Sequence, residues 1–345
     1  MINKEFLQSK NIEISVKRYL LDGLSQMAQA FFATLLIGLI FKTIGEQGQI
    51  LFGINKSLSY LVYIGNFAMK LVGPAIGVAV ACALKAPLLV IYSSAVTGAL
   101  GALMGGEAAA FISALVGCEF GKLVSKETKV DILVTPGCTL LAGCLTASIA
   151  GPFVHMLMSG IGLIIINATN LQPFFMGIVV SVLVGLVLTS PLSSTALCII
   201  LGLNGIAAGA AAVGCCAQMV GFAAISYKDC KTAGVMALGL GSSMFQMPNI
   251  IKNPWILLPT TLTSAIIAPI GTCLFKITNT PAGAGMGTCG FVGQIFTFTE
   301  MGLNINSISA VLILHFLLPI LLCLVIDKIL RKIKKIHDGD YYLDL

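Results

Sequence analysis

Charge is what this sequence has least of. Only 10% of its 345 residues are charged, against roughly 25% in an ordinary soluble domain. With 57% apolar residues and a mean hydropathy of +0.98, too little polar surface exists to cover a soluble globule, which excludes that class. Long polar stretches are also scarce. The longest, residues 1–17 and 331–345, are too short to fold alone, so no sizeable extramembrane domain is expected. The first stretch lacks the short apolar region and small-residue cleavage site of a signal peptide. Histidine is rare, with only His155, His315 and His337. The eleven cysteines contain no Cys-x-x-Cys pair, and adjacent Cys215 and Cys216 are badly placed to share a metal. These absences argue against a metal centre, and no cofactor is expected; the cysteines read as small helix-packing residues. A glycine-rich stretch at 279–294 lacks the lysine of a Walker motif and any preceding strand, which argues against nucleotide binding.

What is there is apolar. Runs near residues 19–41, 60–84, 87–104, 108–123, 132–150, 153–167, 174–189, 195–227, 235–247, 254–276, 291–298 and 308–326 suit spanning segments, each needing roughly 20 residues. They predict an all-α polytopic membrane protein with about ten to twelve transmembrane segments, some of them broken or re-entrant. Residues 195–227 are too long for one plain helix and too short for two. Positive charge gathers in four places: Lys4, Lys10, Lys17 and Arg18; Lys122, Lys126 and Lys129; Lys228 and Lys231; and Lys328, Arg331, Lys332, Lys334 and Lys335. All four should be cytoplasmic, which puts both termini inside and makes the number of crossings even. The net charge of +6 is thus a topology signal, and no nucleic-acid partner is expected.

An internal duplication is also expected within a single transporter domain over residues 1–345. Gly73-Pro74-Ala-Ile-Gly77 matches Gln172-Pro173-Phe-Phe-Met-Gly177; Ala86-Pro87-Leu-Leu matches Ser190-Pro191-Leu-Ser; Ala108-Ala-Ala matches Ala210-Ala-Ala. Order is kept, giving repeat 1 at 73–165 and repeat 2 at 172–278, followed by a re-entrant segment, last span and cytoplasmic tail at 279–345. Many transporters are built this way, with the site at the repeat interface.

Three segments combine proline, glycine and uncharged polar residues at membrane depth: Thr189-Ser-Pro-Leu-Ser-Ser-Thr195, the 239–249 stretch ending Gln246-Met-Pro-Asn249, and the 279–294 stretch. Irregular backbone there survives only where it is buried in protein or lines a wet cavity. Ser193, Ser194 and Thr195 suit a helix N-terminus, and the glycines at 283, 285, 287 and 290 suit a tight re-entrant turn lining a solute route. Buried polar residues are costly and therefore informative. Gln218, Gln246 and Gln294 carry amides, which both donate and accept as sugar hydroxyls require. Glu107 reads equally as a helix cap, Glu119 as an ion pair with Lys122, and His155 as a surface residue. The candidate solute-binding residues are Ser193, Ser194, Gln218, Gln246, Asn249, Asn279, Gly285, Gly287, Thr288, Gln294 and Glu300, with no catalytic or metal-binding residue among them.

At these segments the chain resembles a known family. Thr189-Ser-Pro-Leu-Ser-Ser-Thr-Ala, Cys215-Cys-Ala-Gln-Met-Val-Gly221, Gln246-Met-Pro-Asn-Ile-Ile-Lys-Asn-Pro254 and Pro281-Ala-Gly-Ala-Gly-Met-Gly-Thr288 are similar to the second enzyme IIC family of the bacterial phosphotransferase system. That group includes perfringolysin-regulator-like membrane proteins. The resemblance covers about residues 20–330. It implies a plasma-membrane permease that takes up a sugar or sugar-like solute, phosphorylated by separate IIA and IIB partners, and working as a homodimer in the bilayer. It carries over Gln246, Pro248, Asn249, Asn253, Pro281, Gly283, Gly285, Gly287 and Gln294 as route residues. No IIA or IIB sequence lies within the chain, so the phosphoryl donor would be another polypeptide; Cys230 and His337 are the loop residues able to carry a phosphoryl group. An ion-coupled transporter using Glu300 or Glu119, and a membrane sensor controlling gene expression, are the alternatives.

Overall fold

The computed structural model describes residues 4–13, 15 and 17–343. Residues 1–3, 14, 16, 344 and 345 lie outside it, as does the side chain of Lys4 from the first basic cluster. Among the described residues the chain is all-α, with one isolated bridge between Gly205 and Asn279. Six helices are long and apolar enough to cross a membrane, and a bent pair makes a seventh. The chain divides into two compact units, residues 1–157 and 158–345.

In the first unit, α1 runs over Lys17–Ile50, 34 residues. The polar residues that follow the apolar run 19–41 continue this helix to Ile50, with Lys42 and Glu46 one turn apart and 3.8 Å from each other. Next come α2 (Lys56–Lys70) and α3 (Val72–Ala83), bent by 49° where one span was expected. Pro74 explains the break, because it has no N–H to offer the Lys70 carbonyl and its ring crowds that turn. Then comes α4 (Leu88–Val124). This helix is a hairpin in disguise. Gly105 and Gly106 leave helical geometry, Gly106 at φ 72°, a region open to glycine. Past that point the chain folds back, so that Gly101 abuts Ala109 and Ala110. The Ser113 hydroxyl donates to the Thr97 carbonyl (2.9 Å) and the Gly143 carbonyl (2.7 Å). The two arms match the expected runs 87–104 and 108–123. At the far end, the carbonyl of Leu84, the C-cap residue of α3, accepts from Arg18 and from Lys122, which places two cations at the helix C-terminus. Lys122 also pairs with Glu119 at 3.1 Å. The division between units falls within α5 (Asp131–Thr169).

The second unit contains α6 (Pro173–Thr189), α7 (Ser194–Ile200) and α8 (Gly205–Ile225). The ambiguous run 195–227 thus resolves into a short helix, a turn at Gly202 and Gly205 with positive φ, and a long helix. Nearly every residue of α8 is buried. Alanine and glycine on it let neighbours approach closely; a side chain at Gly214 would collide with the Ser181 carbonyl of α6. After α8 come α9 (Tyr227–Met236), α10 (Met247–Lys252), α11 (Pro254–Phe275), α12 (Pro281–Ala284), α13 (Val292–Met301) and α14 (Ile305–Lys332). Two apolar clusters flank α8, one around Val180, Val184, Leu197 and Cys215, the other around Val213, Ile267, Ile277 and Leu314. The sequence count of ten to twelve segments exceeds the length-based count because it separates the α4 arms and includes short helices such as α6.

Candidate functional site

All three broken segments lie in the second unit, and they meet. Thr189, ending α6, has its hydroxyl 2.9 Å from that of Ser243. The Ser194 hydroxyl donates to the Gly285 carbonyl at 2.7 Å. Thr288 donates to the Gly239 carbonyl. The backbone N–H of Asn279 reaches the Gly205 carbonyl at 3.2 Å. Local sequence makes the breaks. Pro191 cannot continue α6, and Ser193 and Ser242 cap the helical turns after two of the breaks by accepting from the N–H groups of Ala196 and Met244. Gly287 takes φ 53° and lies against the backbone of Cys215, while Gly285 lies against Ser194.

Gln218 sits at the centre, fully buried on α8. Its Oε1 accepts from Thr260 (2.7 Å) and Thr189 (3.3 Å), and its Nε2 reaches the Thr261 hydroxyl at 3.4 Å. The result is an uncharged polar row, Thr260–Gln218–Thr189–Ser243, inside an apolar helix bundle. Asn279 is occupied in holding its own loop. Its Nδ2 donates to the Gly293 carbonyl and the Thr297 hydroxyl, both at 3.0 Å, and its Oδ1 accepts from the Thr280 N–H. Glu300 is exposed on α13 and does not join this group.

The motif around Gln246 is bound to the C-terminal tail. The Gln246 Nε2 donates to the Ser226 hydroxyl (3.0 Å) and the Tyr341 carbonyl (2.9 Å), and its Oε1 accepts from Asn249. Asn249 also donates to the Tyr342 carbonyl at 2.7 Å. Asn253 donates to Asp340 at 2.8 Å. Tyr341 is completely buried, its ring edge-on to Phe222 and its hydroxyl donating to Asp327 at 2.8 Å. Burial, then the nearby Asp327 charge, pushes its phenol well above the ordinary range. The Cys230 thiol donates to the Tyr341 carbonyl at 3.2 Å, and burial raises its pKa too. That is the reverse of thiolate activation. Sequence reasoning missed Tyr341 and Asp327; an aromatic pair inside a charged tail was the available signal.

Gln294 meets a residue that the sequence reading leaves out of the site. Its Nε2 lies 3.0 Å from the His315 Nδ1 and 3.4 Å from the Cys216 sulfur. Both side chains are buried, Gln294 to 4% exposure and His315 to 0%. The sequence reading weighs His315 only as a metal ligand. A lone histidine in a spanning run is itself the signal for it. Separately, a cavity of about 810 Å³ opens along Val220, Ala223, Leu240, Phe316 and Leu324, with Lys328 at its rim. Its wall is mostly apolar, and none of the eleven candidate residues lines it.

The family model described as "Phosphotransferase system, EIIC" matches residues 21–343. The chain belongs to that family. As an EIIC protein it is a membrane sugar permease component, multi-pass and built of apolar helices. No curated protein and no solved structure matches the chain.

Proposed function

We propose that this EIIC protein carries a neutral sugar or sugar-like solute through its second unit, where the three broken segments converge. The observation that carries the reading is the uncharged polar row through Gln218, set where helices end inside an apolar bundle. Hydroxyls and amides offer both donors and acceptors, which suits a polyhydroxyl solute. A lone buried charge would be far more costly to leave unpaired. Ser193, Ser194, Gly285, Gly287 and Thr288 form the loop contacts beside the row, and Asn279 fixes the loop carrying the last three. Gln294 stands beyond them, Gln246 and Asn249 hold the tail, and Glu300 lies at the far end of α13. The protein works as a homodimer in the bacterial plasma membrane with both termini cytoplasmic, and separate IIA and IIB proteins phosphorylate the solute. The paired motifs at 73–165 and 172–278 belong to one duplicated scaffold.

The test is uptake into vesicles containing the full chain, with labelled sugars. The expected result is accumulation of the phosphate ester only when phosphoenolpyruvate and the cytosolic phosphocarriers are supplied. Equal accumulation of the free sugar without them contradicts the coupling.

A further inference from the structure

Polar atoms sealed inside a membrane protein normally find partners, because leaving one unpaired forfeits its solvation without a replacement bond. The Gln294–His315 pair breaks this rule twice. Gln294 Oε1 and His315 Nε2 are both buried and have no hydrogen-bond partner among the described residues. The Gln294 amide donates to His315 Nδ1, so the ring proton sits on Nε2, and the pair is left with one unused acceptor and one unused donor. Turning the amide over does not remove the problem. It would place two N–H groups where a single oxygen now stands unpaired, and the ring would still have an unused nitrogen. The pair is built by three elements at once, α8 through Cys216, α13 through Gln294 and α14 through His315. It lies next to the glycine-rich loop, whose Gly287 packs on Cys215.

We infer that Gln294 and His315 are a recognition pair for hydroxyl groups of the transported solute, Gln294 Oε1 accepting and His315 Nε2–H donating. This rests on the sugar-like reading above and adds a residue to it. A hydroxyl both donates and accepts, so a polyhydroxyl solute satisfies both unused positions without bringing charge into the bundle. A buried water offers the same chemistry, and the experiment separates the two sources.

Purified full-length protein in lipid nanodiscs is unfolded thermally in the presence of D-glucose, D-galactose, D-mannitol or maltose, each titrated singly, and the apparent Kd is read from the shift in midpoint. If none of the four shifts the wild type, the sugar-like reading falls and the recognition pair falls with it. For any sugar that shifts it, the double variant Gln294→Leu/His315→Leu should bind about a hundredfold more weakly, tenfold for each lost hydrogen bond. Its midpoint without sugar should stay level or rise, because both unused polar atoms are gone. His315→Gln keeps an N–H donor and should bind within about threefold of wild type, which also covers the case where the double variant does not fold. The inference is overturned, with the sugar-like reading intact, if the double variant loses stability but binds the sugar as wild type does. That pattern belongs to a structural water. Failure of His315→Gln to bind the sugar that wild type binds overturns it as well.

Discussion

Two glutamines in similar broken segments of the second unit have opposite surroundings. Gln246 spends its amide on Ser226, Tyr341 and Asn249, with donor and acceptor atoms both engaged. Among the described residues, Gln294 has only a ring nitrogen and a sulfur against its Nε2, and no hydrogen-bond donor against its oxygen. The same residue type, set beside the same kind of proline- and glycine-rich backbone, is fastened to the protein's own tail in one place and left with spare bonding capacity in the other. A polar residue at membrane depth therefore signals function only once its partners are counted. An amide with every bond used is part of the scaffold, and an amide with bonds to spare is where a ligand has something to gain.

The largest effect should come from breaking the engaged side of this contrast. Gln246→Leu strands the Ser226 hydroxyl and one donor of Asn249, leaves the Tyr341 carbonyl with only the weak Cys230 thiol donor, and should cost about 2–4 kcal/mol at roughly 1–3 kcal/mol per fully stranded group. Denaturation of the detergent-solubilised protein measures it, and mass-mapped maleimide labelling of Cys230, now held against the tail, should speed up as the tail loosens. Next comes Tyr341→Phe, which removes the donor facing Asp327 and should cost about 1.5–3 kcal/mol, the range for a hydrogen bond to a charged group. This variant also carries a pH signature. The folded-state pKa of Tyr341 is raised, so its contribution is fully present below the ordinary tyrosine range near 10 and is lost as pH climbs above it. Wild-type stability should therefore fall more steeply above pH 10 than that of the variant; parallel curves would show that the phenol is not protected by burial.

Gln218→Leu should fall between the two extremes, at about 1 kcal/mol. Thr189 and Thr260 lose their shared acceptor, yet each keeps another, Thr189 at Ser243 or Gly185 and Thr260 at Leu257. Sugar uptake should fall more than stability does. The smallest effect on the resting protein belongs to Gln294→Leu/His315→Leu, within about 0.5 kcal/mol of wild type, since replacing both members of a polar pair with apolar groups is nearly neutral.

Much of the framework was legible in the sequence. Hydropathy gave an all-α membrane chain; Pro191 marked where α6 stops, and Pro248 and Pro281 stand in the first turns of α10 and α12. The gap between runs 87–104 and 108–123 fell on Gly105 and Gly106, where α4 turns back. Other features were out of reach because they depend on distant partners. Gln246 and Tyr341 are 95 positions apart, and no periodicity joins an amide in a broken segment to a carbonyl in the tail. The helical continuation through Lys42 and Glu46 was hidden because polar residues that follow the end of an apolar run look like a loop. His315 was visible as an isolated polar residue in an apolar run, but its unused nitrogen is a property of the packed bundle alone.

The contrast is tested most directly by one comparison of thermal midpoints, with and without a sugar that shifts the wild type. Gln246→Leu should start lower and keep the sugar-induced shift, whereas Gln294→Leu/His315→Leu should start level or higher and lose it. If both variants start low and both keep the shift, the two glutamines do the same structural job and the account is contradicted.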